Sequence, residues 1–317
     1  MRPPPRPEEP QVDGRAGGLA LNVRNLAVVA SRQGRPMTAN KRQIHRTRNA
    51  ACYTAKALHK LALLSVIGIL PVSAWGPEGH DLVARLAERY LTPAARAQVG
   101  EILGPGTTMA SISSWADQIR RSRPDTGPWH YTDIPIHAPR LDMQRDCPKG
   151  DCVIYQIGAF EKVLGDRSAK PEARREALMF VIHFIGDMHQ PLHSSDNQDK
   201  GGNNVHVDFF GRPTNLHSVW DGGLLTRMGD EDKLFAEFSR DLTPKRARQW
   251  GKGTPEQWAE ETHKIAQKIT YGKLPKEPEG TPAPIGADYE RAADPVIRIQ
   301  IEKAGARLAA ALNATLK

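Results

Sequence analysis

The chain has 317 residues, 39% hydrophobic and 25% charged, with a formal net charge of +8. This mixed composition excludes a low-complexity or collagen-like protein, and no apolar run reaches the ~20 residues of a membrane-spanning helix. Residues 1–74 hold 12 Lys+Arg against 3 Asp+Glu, leaving 32 against 33 in residues 75–317, so the overall charge is no argument for a nucleic-acid-binding surface.

In chain order, Leu61 to Leu70 reads LALLSVIGIL, follows Lys56, His59 and Lys60, and ends in Val72-Ser73-Ala74. This is the pattern of a signal peptide with a small-residue cleavage site. Residues 37–74 are read as that signal, starting at Met37, and residues 1–36 as a non-native or disordered extension. The mature protein is then expected to be secreted or periplasmic, monomeric, and without stable membrane association. Its 243 residues, 75–317, fit one domain. Apolar residues at three- and four-residue spacing predict helices over His80–Tyr90, Pro93–Leu103, Ile112–Arg121, Val153–Leu164, Glu172–Gln190, Pro255–Tyr271 and Tyr289–Leu312. Pro191 stops the long helix, and Asn215 is placed to cap a turn carrying Leu216 to Gly223. Strand signals are sparse: residues 203–212 suggest a short hairpin, and Leu274 to Gly286 reads as a Pro/Gly-rich loop. The fold class is mainly α, a bundle-like arrangement of many helices.

Cys52 lies in the segment to be removed, whereas Cys147 and Cys152 remain as DCPKGDC. An even count in an exported chain points to a local disulfide pinning a loop, with two free thiols as the alternative.

His183 and Asp187 are four residues apart in the apolar run FVIHFIGDMHQPLH, so they share a helix face. Taken alone, such a pair is more often a buried hydrogen bond than a metal site. It is not alone. His217 and Asp221 repeat the spacing in NLHSVWDGG, and His193 follows Pro191. Asp117 in SSWADQIR and His130 in GPWHYTDIP each lie beside a tryptophan that could wall a site from water. Imidazole and carboxylate without thiolate suit catalytic rather than structural zinc. Cleavage after Ala74 would place Trp75 at the N-terminus, where a free α-amino group is a competent ligand, with His80 five residues on. His189 stands six residues from His183, an offset off that helix face, and is read as a core or supporting residue. A surface or supporting role is also the safer reading for His206 and Asp208. His137 and His263 look incidental. Arg120 stands one turn beyond Asp117 and could reach a phosphate oxygen; a solvated helix arginine is its plain alternative.

WGPEGH, SWAD, WHYTDIP, HFIGDMHQPLH, GGNNVHVDFFG, NLHSVWD, PEQWAEETH and the terminal PVIRIQIEKAGARLAAALN resemble, in order, the zinc-dependent single-strand-specific nucleases of fungi, plants and bacteria, the S1/P1 type. The resemblance spans essentially all of residues 75–317. It implies a trinuclear zinc site: one Zn²⁺ held by Asp117, His130, His183 and Asp187, a second by Trp75, His80 and the bridging Asp187, and a third by His193, His217 and Asp221. It also implies a base pocket at Tyr131 and Asp133, with Asn203 as a further pocket residue whose plain alternative is a Gly-Asn turn.

The implied activity is endonucleolytic hydrolysis of single-stranded DNA or RNA to 5′-phosphorylated products, with 3′-nucleotidase activity as a possible companion. Zinc-activated hydroxide would attack between Asp117 and Asp187, with Arg120 meeting growing phosphate charge. The alternative enzyme is a zinc-dependent phospholipase C, against which Cys147/Cys152, Tyr131 with Asp133, and GGNNVHVDFF are nuclease-like. From another class, a non-catalytic zinc-stabilised secreted protein would show closed coordination. The third zinc, with three protein ligands, would leave positions open.

Overall fold

A computed structural model describes residues 75–278 and 280–317. The signal-peptide reading, its extension and Cys52 lie outside the described residues. The first helix, α1 (Pro77–Glu88), starts on Pro77, and α2 (Pro93–Leu103) on Pro93, with the Thr92 hydroxyl accepting from the Ala95 amide at 3.2 Å. Proline at the first helical position loses no hydrogen bond there and presets φ. The helix expected over Ile112–Arg121 is broken. A 3₁₀ turn at Ala110–Ile112 precedes a short α3 (Trp115–Ile119). After another 3₁₀ segment, Pro124–His130, comes the single turn α4 (Met143–Asp146), which leads into the disulfide Cys147–Cys152.

Helices α5 (Val153–Gly165) and α6 (Pro171–Met188) pack side by side. Every residue of α6 from Ala177 to Met188 is buried, so α6 is the central rod rather than a surface helix. Phe180 stacks on Phe160 with centroids 4.5 Å apart, Phe184 stacks on Phe180 at 5.0 Å, and Trp115 and Trp129 meet Phe180 edge-on. These five rings anchor the core at offset and edge-to-face geometries.

The predicted hairpin is shifted. Strand β1 (His206–Phe209) pairs antiparallel with β2 (Arg212–Asn215), joined by Phe210 and Gly211, both at positive φ, as a two-residue hairpin turn demands. The stretch read as a Pro/Gly-rich loop supplies a third strand, β3 (Ala283–Ile285), parallel to β1 with Val207 opposite Ala283. Asn215 ends β2 and caps α7 (Leu216–Ser218), its side-chain oxygen accepting from the Ser218 amide at 2.7 Å. A π-helical turn, Val219–Gly223, follows and runs into α8 (Leu224–Met228). Two helices not foreseen, α9 (Glu231–Asp241) and α10 (Pro244–Trp250), are capped by Asp230 and Thr243. The expected Pro255–Tyr271 helix divides into α11 (Pro255–Ile265), begun by a Thr254/Gln257 capping box, and a π-helical turn at Ala266–Thr270. Last, α12 (Ala287–Thr315) crosses α1, where Gly305 allows the approach: a Cβ there would lie 2.7 Å from Leu86 Cβ. No helix among the described residues is long and apolar enough to cross a membrane.

Candidate metal centre

Six separate elements converge on one buried cluster. Helix α1 brings His80, α3 brings Asp117, the 3₁₀ segment after it brings His130, and α6 brings His183 and Asp187. The turn after α6, Pro191–His193, brings His193, while α7 and its π-helical extension bring His217 and Asp221. All eight side chains are buried. They fall into three groups whose donor atoms are mutually close: His80 with His183 and Asp187, Asp117 with His130 and His183, and His193 with His217 and Asp221.

Tetrahedral zinc with bonds of ~2.0–2.1 Å separates its ligand atoms by ~3.3 Å. Around Asp187 Oδ2, His130 Nδ1 lies at 2.9 Å and His183 Nε2 at 3.3 Å, and those two nitrogens are 3.1 Å apart. Asp117 stands 3.6 Å from each of the same two nitrogens, through Oδ1 and Oδ2 respectively. The other oxygen of Asp187, Oδ1, faces His80 Nε2 at 3.2 Å, so this one carboxylate spans two groups. In the third group, His193 Nε2 is 3.2 Å from His217 Nε2, which is 3.4 Å from Asp221 Oδ1. Two imidazole nitrogens with carboxylate oxygens at tetrahedral-edge spacing are what a divalent cation needs.

The far side of three rings is also arranged. His183 Nδ1 donates to the Ser113 carbonyl at 2.7 Å, His193 Nδ1 to the His130 carbonyl at 2.9 Å, and His217 Nδ1 to the Gly201 carbonyl at 2.5 Å. With the proton held on Nδ1, each Nε2 lone pair is presented to the cluster. Two glycines permit these approaches. A Cβ on Gly186 would lie 2.7 Å from His80 Nδ1, and one on Gly201, already at φ +58°, would lie 2.6 Å from the Leu192 carbonyl oxygen.

Electrostatically the cluster is anionic and needs positive charge. Burial opposes the charge on Asp187, yet His183, His130 and His80 hold its carboxyl well below the usual range. Burial likewise opposes a charge on His183, but Asp187 and Asp117 outweigh it and raise the imidazole well above its ordinary value. The two carboxylates thus draw positive charge to this point of the cluster. Burial pushes His193 down to about 4 and His217 down to about 3, keeping both neutral and able to ligate. Burial raises Asp221 well above the carboxylate range, Gln190 notwithstanding. Arg120 reaches Asp117 at 3.5 Å.

A cavity of about 320 Å³ opens beside the cluster, lined by Arg120, Tyr131, Asp133, His193, Asn203 and His217 and further by Leu192, Lys200 and Gly201. All three residues expected to bind a base are therefore brought to one space with Arg120 and part of the His/Asp cluster. Desolvation, then Asp196, Asp146 and Asp199, push the Asp133 carboxyl at the exposed rim up to about 6. Lys200 and Leu192 were not singled out from sequence; their loop, DNQDKGGNN, reads only as a turn. The disulfide sits behind this wall, with the Val153 amide next to Cys152 donating to the Tyr131 carbonyl at 3.0 Å.

His189 is buried away from the cluster, between the Ile185 carbonyl at 2.6 Å and Arg307 at 2.7 Å. His206 is exposed at the start of β1, and Asp208 is half-buried on the same strand. His263 bonds Ser195 Oγ at 2.6 Å and the Ala138 carbonyl at 3.0 Å, so it ties α11 to two loops rather than being incidental. Trp75 is fully buried, its indole Nε1 without a hydrogen-bond partner among the described residues.

The S1/P1 Nuclease family profile matches residues 75–317. Nuclease P1 of Penicillium citrinum is 40% identical over 156 residues, 46% of this chain and 57% of its own length. Nuclease S1 of Aspergillus oryzae is 35% identical, over 48% of this chain and 59% of its own. The match thus spans little more than half of these fungal relatives. Endonuclease 4 of Arabidopsis thaliana is 31% identical over 269 residues, 75% of this chain and 88% of its own length. With the profile covering the whole described region and every motif of the buried cluster, the chain belongs to the S1/P1 nuclease family.

Proposed function

We propose that the mature protein is a secreted or periplasmic endonuclease that hydrolyses single-stranded DNA and RNA to 5′-phosphorylated products, and also removes the phosphate of 3′-nucleotides. The observation that carries this reading is the shared cavity: Tyr131, Asp133 and Asn203 line the same 320 Å³ as Arg120, His193 and His217. A base can be held there while its phosphate meets the metal cluster. A nucleotide clasped this way has to be unstacked, which favours single strands. Export rests on the Leu61–Leu70 segment and agrees with the disulfide.

Asp117, His130, His183 and Asp187 would hold one zinc, Trp75, His80 and Asp187 a second, and His193, His217 and Asp221 a third. Trp75 qualifies only as a new N-terminus, because an amide nitrogen inside a chain is no ligand. Zinc in such a site supplies Lewis acidity that polarises a phosphoryl group and makes water acidic near neutral pH. The chain's own residues do the rest. Asp187 ties two of the groups together through its two oxygens, and Arg120, anchored on Asp117, presents its guanidinium to an equatorial phosphate oxygen. Tyr131 offers a ring for stacking, and the Asp133 carboxylate accepts from base N–H groups. Asn203, on the cavity wall, donates its side-chain NH₂ to the Lys200 carbonyl at 2.7 Å.

The test is a side-by-side assay of the exported protein on single-stranded DNA, RNA, 3′-AMP and phosphatidylcholine, with and without a zinc chelator. Chelator-sensitive cleavage of nucleic acid to 5′-phosphorylated ends is expected. Turnover of phosphatidylcholine alone would refute the reading in favour of a phospholipase, and silence on all four with metal bound would favour a non-catalytic protein.

A further inference from the structure

We propose that Lys200 is a phosphate-binding residue of the substrate cavity, and that it takes the 5′-phosphate of the clasped nucleotide rather than the phosphate that is cut. This rests on the nuclease reading above.

Among the residues lining the cavity, Arg120 and Lys200 carry the cationic side chains. They sit at different depths. Arg120 is half-buried against the cluster aspartate, and His193 and His217 form a buried floor, whereas Lys200 is exposed. A polyanion entering this cavity therefore meets Lys200 at the mouth and Arg120 at the metal.

Lys200 is also uncommitted. The two carboxylates nearest in sequence are used by the loop's own backbone. Asp196 accepts from the amides of Gln198, Asp199 and Gly201 at 3.0, 3.2 and 2.9 Å, and Asp199 accepts from the Gly202 amide at 2.7 Å and the Tyr271 hydroxyl at 2.9 Å. Among the described residues no carboxylate lies within ion-pair distance of the Lys200 ammonium. The same bonds fix the loop, so Lys200 is displayed from a rigid support. Its backbone is left-handed at φ 58°, between Gln198 at 61° and Gly201 at 58°. Glycine adopts that conformation without strain and lysine does not, so the position would be easier to fill with a residue that has no charge to offer.

The chemistry selects the phosphate. A 3′-nucleotide presents a base only on the leaving-group side, so the base held by Tyr131 and Asp133 belongs to the nucleotide whose 3′-oxygen departs. Its 3′-phosphate then lies at the cluster with Arg120. Its 5′-phosphate lies on the other side of the sugar, toward the mouth, where Lys200 stands.

The experiment compares a dinucleoside monophosphate, NpN, with the same dinucleotide carrying a 5′-phosphate, pNpN, for wild type, Lys200→Gly and Lys200→Arg. Glycine suits the left-handed backbone, so the loop stays folded when the charge is removed. The wild type is expected to favour pNpN through KM by roughly two- to fivefold, the range of an exposed ion pair. Lys200→Gly should bring that ratio to about one, and Lys200→Arg should restore most of it. On longer single strands, the plot of log(kcat/KM) against log salt should flatten by ~0.7, one phosphate contact, in Lys200→Gly. An unchanged pNpN/NpN ratio in Lys200→Gly overturns the role of Lys200 while leaving the nuclease reading intact. Failure of the wild type to hydrolyse either dinucleotide or any single strand overturns both.

Discussion

Replacing Gly186 by Ala tests whether His80 is a metal ligand without touching any ligand. The added Cβ would stand 2.7 Å from His80 Nδ1 and 3.0 Å from its Cε1. Ordinary contact begins near 3.4 Å, so the ring has to retreat by about 0.7 Å, against a metal–ligand tolerance of about 0.2 Å. It has nowhere convenient to go: His80 is 1% exposed and stacked on His183 at 4.0 Å. Overpacking of this kind costs ~1–3 kcal/mol, while alanine in a helix returns about 1 kcal/mol relative to glycine. The net of ~0–2 kcal/mol lowers the melting temperature by at most about 8 °C in a domain of this size. The fold should therefore survive while the second metal is lost. Metal analysis should fall by about one ion per chain, and kcat by roughly a hundredfold, the scale of a sub-ångström to ångström displacement of a catalytic group. A folded Gly186→Ala protein with wild-type metal content and turnover would refute the assignment of His80. Loss of all bound metal would refute the separation into groups.

Asp187→Asn should abolish turnover, because one fully buried carboxylate serves His80 through one oxygen and His130 and His183 through the other; substantial turnover with full metal content would sink the two-metal arrangement. A mature protein with one extra residue before Trp75 should lose the second ion and most activity, measured by metal analysis beside turnover, and an unchanged enzyme would dismiss the N-terminal amine as a ligand. Removing the disulfide by Cys147→Ser with Cys152→Ser opens a short loop and should cost about 2 kcal/mol by loop entropy; because Val153 is bonded to the Tyr131 carbonyl, KM should rise more than kcat falls. For Asp133, whose carboxyl is pushed up to about 6, ionisation sets in as pH rises through 6. KM of the wild type should therefore climb as pH falls below 6, and Asp133→Asn should flatten that limb. The folded state also holds a proton on Asp133 that the unfolded chain has released. Its contribution to stability thus declines between about pH 4 and 6, and a wild-type-like pH profile in Asp133→Asn would exclude this carboxyl as the cause.

The candidate metal cluster was legible because each His/Asp pair is local. His183 with Asp187 and His217 with Asp221 are one helical turn apart, and Pro191 and Asn215 punctuate the chain beside them, so spacing alone places both members of each pair on one face. What spacing could not place was anything fixed by partners distant in sequence. Strand β3 contains Pro284, which contradicts a strand reading; it is tolerated because the order β2-β1-β3 makes it an edge strand that, among the described residues, pairs with β1 alone. Helix α9 buries only Leu234 and Phe238 against α1, too thin an apolar stripe to stand out among its charges. Lys200 escaped because a left-handed lysine looks, in sequence, like any Asp-Lys-Gly turn.

The two kinds of legibility meet in α6. Its apolar residues Phe180 and Phe184 hold the aromatic stack, and His183 and Asp187 from the same turns hold the cluster. A buried rod has no solvent face on which to put polar groups, so its imidazole and carboxylate must be satisfied inside the core. They are matched by His80 from α1, His130 beside Trp129 and Asp117 beside Trp115, residues whose neighbours complete the apolar wall. Packing the core thus positions the His/Asp cluster, and a change that loosens the aromatic stack should be felt in that cluster's geometry before it is felt in the fold.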